Sequence, residues 1–318
     1  MTANEDLHVV FGTGAIGTAL IEELHAAGRR VRAVNTSGLA DVPPGVELMA
    51  GDVTADEFAK VASDGAGVVY FCLGAAYTRW PELFPPLQAA VLSGATSVGA
   101  RLVVLENLYM YGPTDGQPLT EDLPYRATTR KGTVRAEMSR DLMAAHAAGD
   151  VQVAIGRASD YFGPRGLYSA MGERVFYPAI KGKKSRLVGK PDLPHTYSYL
   201  PDIARGLVTL GERNEALGKA WHLPNAPTIT TRQFVEKVYL AAGNEPNMSG
   251  TPRFILKLVA RKDPNVAEVI EMLYEFEESF VVDHSQFVET FGAQVTPLDE
   301  AIETTVAWFR ANPEPASQ

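Results

Sequence analysis

The sequence predicts an α/β fold, a doubly wound parallel sheet with a smaller, mostly helical C-terminal part. Three observations predict it. Short apolar, β-branched runs alternate with helix-period segments through the first two thirds of the chain. A glycine-rich turn follows the first run directly and opens the first helical segment. Beyond about residue 163 the alternation gives way to turn-rich stretches and then to mostly helical sequence.

Leu7–Phe11, Arg30–Val34, Val46–Met49, Val68–Cys72, Leu102–Leu105 and Val151–Gly156 each read as a strand buried on both faces. Between them, Ala15–Ala27, Ala55–Ser63, Pro85–Gly99 and Lys131–Gly149 carry helical spacing, so the connections are right-handed crossovers. Gly163-Pro-Arg-Gly166, Gly182 and Pro191–Pro194 are turn-rich. A helix at Asp202–Leu210 returns toward the sheet, and Ala220–Leu223 follows as a strand. Residues 231–275 are mostly helical, with Met272, Tyr274 and Phe276 on an apolar face, and the last helix spans Pro297–Ala311 before a polar tail.

Composition narrows the function classes. The 318 residues carry a formal charge of −9, are 46% hydrophobic and 21% charged, and so have ample material for a core. An acidic chain is a poor candidate for phosphate neutralisation, so nucleic acid is not expected as a partner. The acidic, polar N-terminus lacks a signal-peptide pattern, and no apolar run approaches the roughly 20 residues that span a bilayer. The expectation is a cytoplasmic protein with a small-molecule substrate. One cysteine, Cys72, excludes an intrachain disulfide, and the six histidines show no metal-ligand spacing, so no metal is expected.

The sharpest local signal is Gly12-Thr13-Gly14-Ala15-Ile16-Gly17. Gly12 permits the tight turn, Gly14 lets the backbone approach a pyrophosphate, and Gly17 allows close packing of helix on strand. The positive helix end would then hold the phosphates. At the end of the second strand, Asn35-Thr36-Ser37 stands where an NAD-binding loop carries an acid. Neutral Asn35 does not repel a 2′-phosphate and the hydroxyls can donate to one, which favours NADP over NAD; a turn role is the alternative. Asp52 and Val53, after the third strand, are expected at the adenine edge, with a cap or turn role open for Asp52.

With these elements placed, the chain resembles the extended short-chain dehydrogenase/reductases, the NAD-dependent epimerase/dehydratase family. The resemblance rests on the glycine loop, Gly51-Asp52, Phe71-Cys72-Leu73-Gly74, Tyr111-Gly112-Pro113, Arg157-Ala-Ser-Asp-Tyr-Phe-Gly163-Pro164 and Tyr199-Leu-Pro-Asp202-Ile-Ala204, in that order. It implies a Rossmann domain at 1–165, with 195–225 returning to it, and a substrate-binding domain at 166–194 and 226–318. It also implies cofactor contacts at Cys72, Leu73 and Gly74, and a homodimer paired through two helices.

The departure from the family pattern lies in the proton relay. Asn107 falls in the serine or threonine slot. Lys131 stands where the tyrosine is expected, and Arg135 where the lysine is. Spaced four apart, the two cations share one helix face. Arg135 can bond ribose hydroxyls but cannot exchange a proton, whereas Lys131 can donate one or stabilise an oxyanion. Tyr109 is the backup proton donor, and Asn107 orients the substrate or holds its loop. Tyr77, Trp80, Tyr161 and His195 are candidate substrate contacts. The run Lys181–Arg186 reads as a solvated loop or a contact for a phosphate-bearing substrate. Three readings remain open: an NAD(P)-dependent reductase of a carbonyl or conjugated alkene on a small, fairly apolar substrate; a nucleotide-sugar epimerase or dehydratase; and a non-catalytic NADP sensor resembling the NmrA-like regulators.

Overall fold

The predicted alternation closes into one parallel sheet. The computed structural model describes residues 7–251 and 253–314; the acidic N-terminal stretch and the end of the polar tail lie outside the described residues. In chain order the first part holds β1 (Leu7–Phe11), α1 (Ala15–Ala26), β2 (Arg30–Asn35), β3 (Glu47–Ala50), α2 (Phe58–Ser63), β4 (Ala66–Phe71), α3 (Trp80–Val98), β5 (Arg101–Glu106), α4 (Arg130–Ala148) and β6 (Gln152–Arg157). There follow β7 (Asp160–Phe162), α5 (Glu173–Ile180), β8 (Ser185–Val188), β9 (Pro194–His195), β10 (Tyr197–Tyr199), α6 (Leu200–Glu212), β11 (Lys219–His222), β12 (Ile229–Thr230), α7 (Thr231–Ala241) and β13 (Met248–Thr251). The chain ends with α8 (Arg253–Val259), α9 (Pro264–Glu271), α10 (Ser285–Phe291) and α11 (Leu298–Ala311).

The central sheet runs β3-β2-β1-β4-β5-β6-β11, all parallel. Its strands are apolar because both faces are covered. One face packs on Phe84, Val91 and Ala95 of α3 and on Met138 and Leu142 of α4. The other packs on Leu20, Ile21 and Leu24 of α1 and on Ile203, Leu207 and Leu210 of α6. Strand order reverses between β1 and β4, whose ends Phe11 and Phe71 are paired. That reversal opens a crevice beyond the carboxyl ends of the strands, where open α/β sheets bind ligands.

A separate apolar cluster, including Phe176, Tyr197, Phe234, Ile302 and Phe309, joins α5, α7, α11 and β10. It is tied to the sheet side by the bridges Leu119–Val282 and His195–Phe280. Residues 253–276, through α8, α9 and a 3-10 turn at Leu273–Phe276, form a strap that reaches the start of α4.

Differences from the sequence reading have local causes. Helix α3 begins at Trp80 rather than Pro85, because Pro85 and Pro86 lie inside it; prolines near a helix start cost few backbone bonds and read as the start itself. Helix α5 occupies a stretch left unassigned between the turn-rich segments, driven by burial of Val175, Phe176 and Ala179 despite Pro178. The segment 231–275 contains strand β13, paired with β8.

Candidate functional site

A cavity of about 740 Å³ runs from the glycine loop, beneath the strap, to α5 and β8. Its floor starts at the loop after β1. Gly12 has φ 107°, and a Cβ there would stand 2.5 Å from the Cys72 carbonyl oxygen. A Cβ on Gly17 would stand 1.9 Å from the Gly12 oxygen, so α1 is pressed onto the turn. Gly14 differs: no atom lies within 4 Å of its would-be Cβ, and it lines the cavity. Helix α1 begins there with no side-chain cap, leaving first-turn amides beside Ala15 and Ile16, which also line the cavity. Cys72, Leu73 and Gly74 form the facing wall, where burial pushes the Cys72 thiol up to about 12.

The loop after β2 is organised by its own side chains. Asn35 Nδ2 donates to Thr13 Oγ1 at 2.8 Å and to the Leu39 oxygen at 3.0 Å, while Asn35 Oδ1 accepts from the Gly38 amide at 2.7 Å. Ser37 Oγ donates to the Leu39 oxygen at 3.3 Å. Asn35, Thr36 and Ser37 do not line the cavity. Asp52 is exposed, and its carboxylate accepts from the Thr54 hydroxyl at 2.7 Å and amide at 2.9 Å, which hold its pKa below the usual range. Neighbouring Val53 is core. Asp52 therefore shapes its own turn.

At the inner end, half-buried Tyr109 lines the cavity, stacked on Trp80 with ring centroids 5.6 Å apart, and its hydroxyl is 3.2 Å from that of Tyr77. Asn107 Oδ1 accepts from the Tyr109 amide at 3.3 Å and so fixes the turn that presents this ring. Burial holds both phenols protonated, with pKa values above the ordinary tyrosine range. Arg135 enters from α4 with its guanidinium 4.2 Å over Phe84 and 5.1 Å over Trp80. Among the described residues its Nε and Nη1 are buried without hydrogen-bond partners, and burial lowers its pKa.

Lys131 departs from expectation. It is 1% exposed but absent from the cavity wall; its ammonium is held by Glu268 and, at 2.8 Å, by Glu271, and lies 4.4 Å over the Tyr77 ring. The cause is the strap: α9 carries two carboxylates to the first turn of α4, where Arg130 joins them at 2.8 Å from Glu268. Lys131 and Arg135 share a helix, yet only Arg135 reaches the cavity.

His195 is buried behind the wall rather than in it. Its Nε2 lies 2.8 Å from Asp160 Oδ2, and its ring stacks between Tyr197, Phe276 and Phe280. Asp160 and Tyr161 line the cavity, as do Tyr77 and Trp80. Arg174 and Arg186 stand exposed at its outer end.

Sequence reasoning missed three carboxyls. Glu106 ends β5 beside Asn107, and Asp160 begins β7 inside the Arg157–Pro164 motif, a signal that was available. Glu106 receives Arg157 Nε at 3.0 Å, while among the described residues its buried Oε1 has no hydrogen-bond partner. Glu275 is 2% exposed, lines the cavity, and burial raises its pKa well above the carboxylate range. It sits in an ordinary helix-period stretch and gives no local signal.

The profile of the NAD dependent epimerase/dehydratase family matches residues 9–223. The chain belongs to that family. Among curated relatives, this family member is 22% identical over 221 residues to a dTDP-glucose 4,6-dehydratase of Streptomyces griseus, covering 69% of this chain and 62% of that protein. The chain thus aligns with less than two thirds of that relative's length. Its fold matches an epimerase from Methanothermobacter thermautotrophicus with TM-score 0.80, at 20% identity, covering 97% of this chain and 93% of the other. It also matches a UDP-glucuronic acid 4-epimerase from Bacillus cereus solved with NAD, with TM-score 0.74, at 14% identity, covering 96% and 99%. These likenesses establish the Rossmann-type architecture. Among the described residues no helix is long and apolar enough to cross a membrane.

Proposed function

We propose that this family member is a nicotinamide-dependent oxidoreductase that reduces a carbonyl of a small, largely apolar substrate. The observation that carries the reading is the protonated phenol pair at the inner end of the cavity, Tyr109 and Tyr77, with hydroxyls 3.2 Å apart. An acid held in its protonated form is suited to delivering a proton to a developing alkoxide, not to removing one from a hydroxyl. Aligned on the family pattern, the relay tyrosine is replaced by Lys131, and its ammonium is bound by carboxylates; both points support moving the donor role to Tyr109.

The residues present fit a dinucleotide. Gly14, Ala15 and Ile16 would hold its pyrophosphate on the start of α1, and the unpartnered Arg135 nitrogens would bond ribose hydroxyls. When bound, the nicotinamide supplies the hydride. Tyr109 donates its proton to substrate oxygen, Tyr77 shares the phenol hydrogen bond, Asn107 fixes the Tyr109 turn, and the strap excludes water. No acid stands at the end of β2, and Asn35 is committed to its own loop. NAD and NADP are therefore expected to bind within about tenfold of each other, a difference of about 1.4 kcal/mol.

A second reading, a nucleotide-sugar epimerase or dehydratase, is favoured by the activities of the relatives and by Arg174 and Arg186 at the outer end. The experiment is oxidation of NADH or NADPH by a panel of aryl and alkyl carbonyls, run beside UDP-glucose and dTDP-glucose. The proposal expects net cofactor oxidation with a carbonyl, falling about 100-fold in Tyr109→Phe. Conversion of a nucleotide sugar with no net cofactor change overturns it.

A further inference from the structure

The inner end of the cavity holds a buried carboxyl that the proposed chemistry does not use. Glu275 is 2% exposed and lines the cavity wall. Among the described residues its carboxyl has neither a hydrogen-bond nor an ion-pair partner. A second carboxyl, Asp160, lines the same wall with its side chain 21% exposed, held from behind by His195. Tyr77, Tyr109, Trp80 and Phe276 complete this end.

Among the described residues no lysine or arginine is ion-paired with either carboxyl. Lys131 is bound by Glu268 and Glu271, and Arg157 by Glu106. Arg135 lies over the Phe84 and Trp80 rings. A desolvated carboxyl beside a second one, enclosed by aromatic faces, meets the requirements of an organic ammonium: a counter-charge and π-faces for its N–H and C–H groups.

We propose that Glu275 and Asp160, walled by Tyr77, Tyr109 and Phe276, form a subsite for the protonated amine of the substrate. This deepens the reductase reading by naming the substrate class as an amine-bearing carbonyl compound, and it rests on that reading only for the carbonyl. Binding exchanges one proton. The Glu275 O–H bond breaks, the proton leaves to buffer, and the ammonium N–H groups donate to the carboxylate. The facing titratable and charged groups are Asp160 with His195 from β7 and β9, Tyr109 from the turn after β5, Tyr77 before α3, Tyr274 and Glu271 on the strap, and Arg135 on α4. The phenols stay protonated throughout, and burial, followed by the Asp160 charge, keeps Glu275 protonated without ligand.

The test is calorimetric titration of the whole chain, without cofactor, with benzylamine and with benzyl alcohol at about pH 8. Two buffers of different ionisation enthalpy count the protons exchanged. The expected result is at least tenfold tighter binding of benzylamine, with net proton release that the alcohol does not cause. Glu275→Gln, checked for an unchanged melting profile, is expected to abolish both the preference and the proton release. Equal or tighter binding of the alcohol, absence of binding by either probe, or retention of the preference in Glu275→Gln overturns the proposal. Dinucleotide binding and carbonyl turnover are measured on the same preparation. An amine preference without turnover sinks the reductase reading alone, and turnover without the preference sinks this inference alone.

Discussion

The Lys131 ammonium lies 2.8 Å from the Glu271 carboxylate, joining the first turn of α4 to a strap residue 140 positions later in the chain. The residue that the sequence reading places in the family's proton-relay position is thereby a fastening for the cavity roof.

Lys131→Met leaves Glu268 and Glu271 facing each other with only Arg130 between them. Removing one partner from a fully buried pair costs about 3–5 kcal/mol, and partial exposure of these carboxylates reduces that to about 2 kcal/mol. Chemical denaturation should show the loss, and proteolysis should nick residues 253–276 faster. Dinucleotide affinity should stay within about threefold. A variant with an undiminished strap and abolished turnover would return the proton-donor role to Lys131.

Arg135→Met should separate stability from binding. The arginine is buried with two unbonded nitrogens, so its removal relieves a desolvated charge and leaves the free protein at least as stable. Dinucleotide affinity should drop about 10- to 100-fold, the worth of one or two charge-assisted hydrogen bonds. Unchanged affinity by calorimetry would remove Arg135 from the cofactor site.

The two glycines at the start of α1 should respond oppositely. Gly17→Ala drives a methyl into the Gly12 carbonyl, at a cost of about 3 kcal/mol in unfolding free energy. Gly14→Ala meets open space and should change stability by less than about 0.5 kcal/mol. Its effect should fall on dinucleotide affinity. A stable Gly17→Ala protein with normal affinity would refute the close packing of turn and helix.

Stability should fall with acid through His222. Arg157 donates to the Tyr111 hydroxyl at 2.5 Å, that hydroxyl lies 2.8 Å from His222 Nε2, and Nδ1 lies 2.8 Å from the Asp283 oxygen. Since a carbonyl only accepts, Nδ1 carries the hydrogen and Nε2 accepts from Tyr111. Burial, chiefly, lowers the His222 pKa from 6.5 to about 4. The unfolded chain then takes up a proton that the folded chain refuses, so stability is complete above about pH 6.5 and declines until about pH 4. The decline attributable to this group is about 3 kcal/mol. Denaturation midpoints across that range should show it, and His222→Gln should flatten the slope.

Cys72 should be inert despite lining the cavity. With its thiol at about 12, roughly one part in ten thousand is thiolate at pH 8. Iodoacetamide should modify the native chain negligibly and label one thiol per chain after unfolding. Rapid native labelling would show a less desolvated wall than the one described.

Legibility from sequence followed how local each determinant was. Strand β1 and the glycine loop were readable because apolar continuity and three glycines act within a dozen residues. Asn107, Tyr109 and Arg135 could be placed toward the cavity they line because strand ends and helix faces are regular. Lys131 was misdirected because its environment comes from Glu268 and Glu271, and no spacing rule links positions so remote. Glu275 was invisible for the same reason, since a polar residue on an amphipathic segment reads as solvated until the partner surface is known. Helix α5 and strands β9 and β12 escaped because eight or fewer residues carry too little periodicity.

The roof of the cavity also has a bearing on protein engineering. Its floor is encoded before residue 163, whereas Val269, Met272, Glu275, Phe276 and Phe280 come from a later segment anchored by Leu119–Val282 and His195–Phe280. Grafting a foreign strap between β13 and α10 would retune ligand selectivity while sparing the nucleotide floor, provided the graft keeps an acid for Lys131 and the two bridging residues.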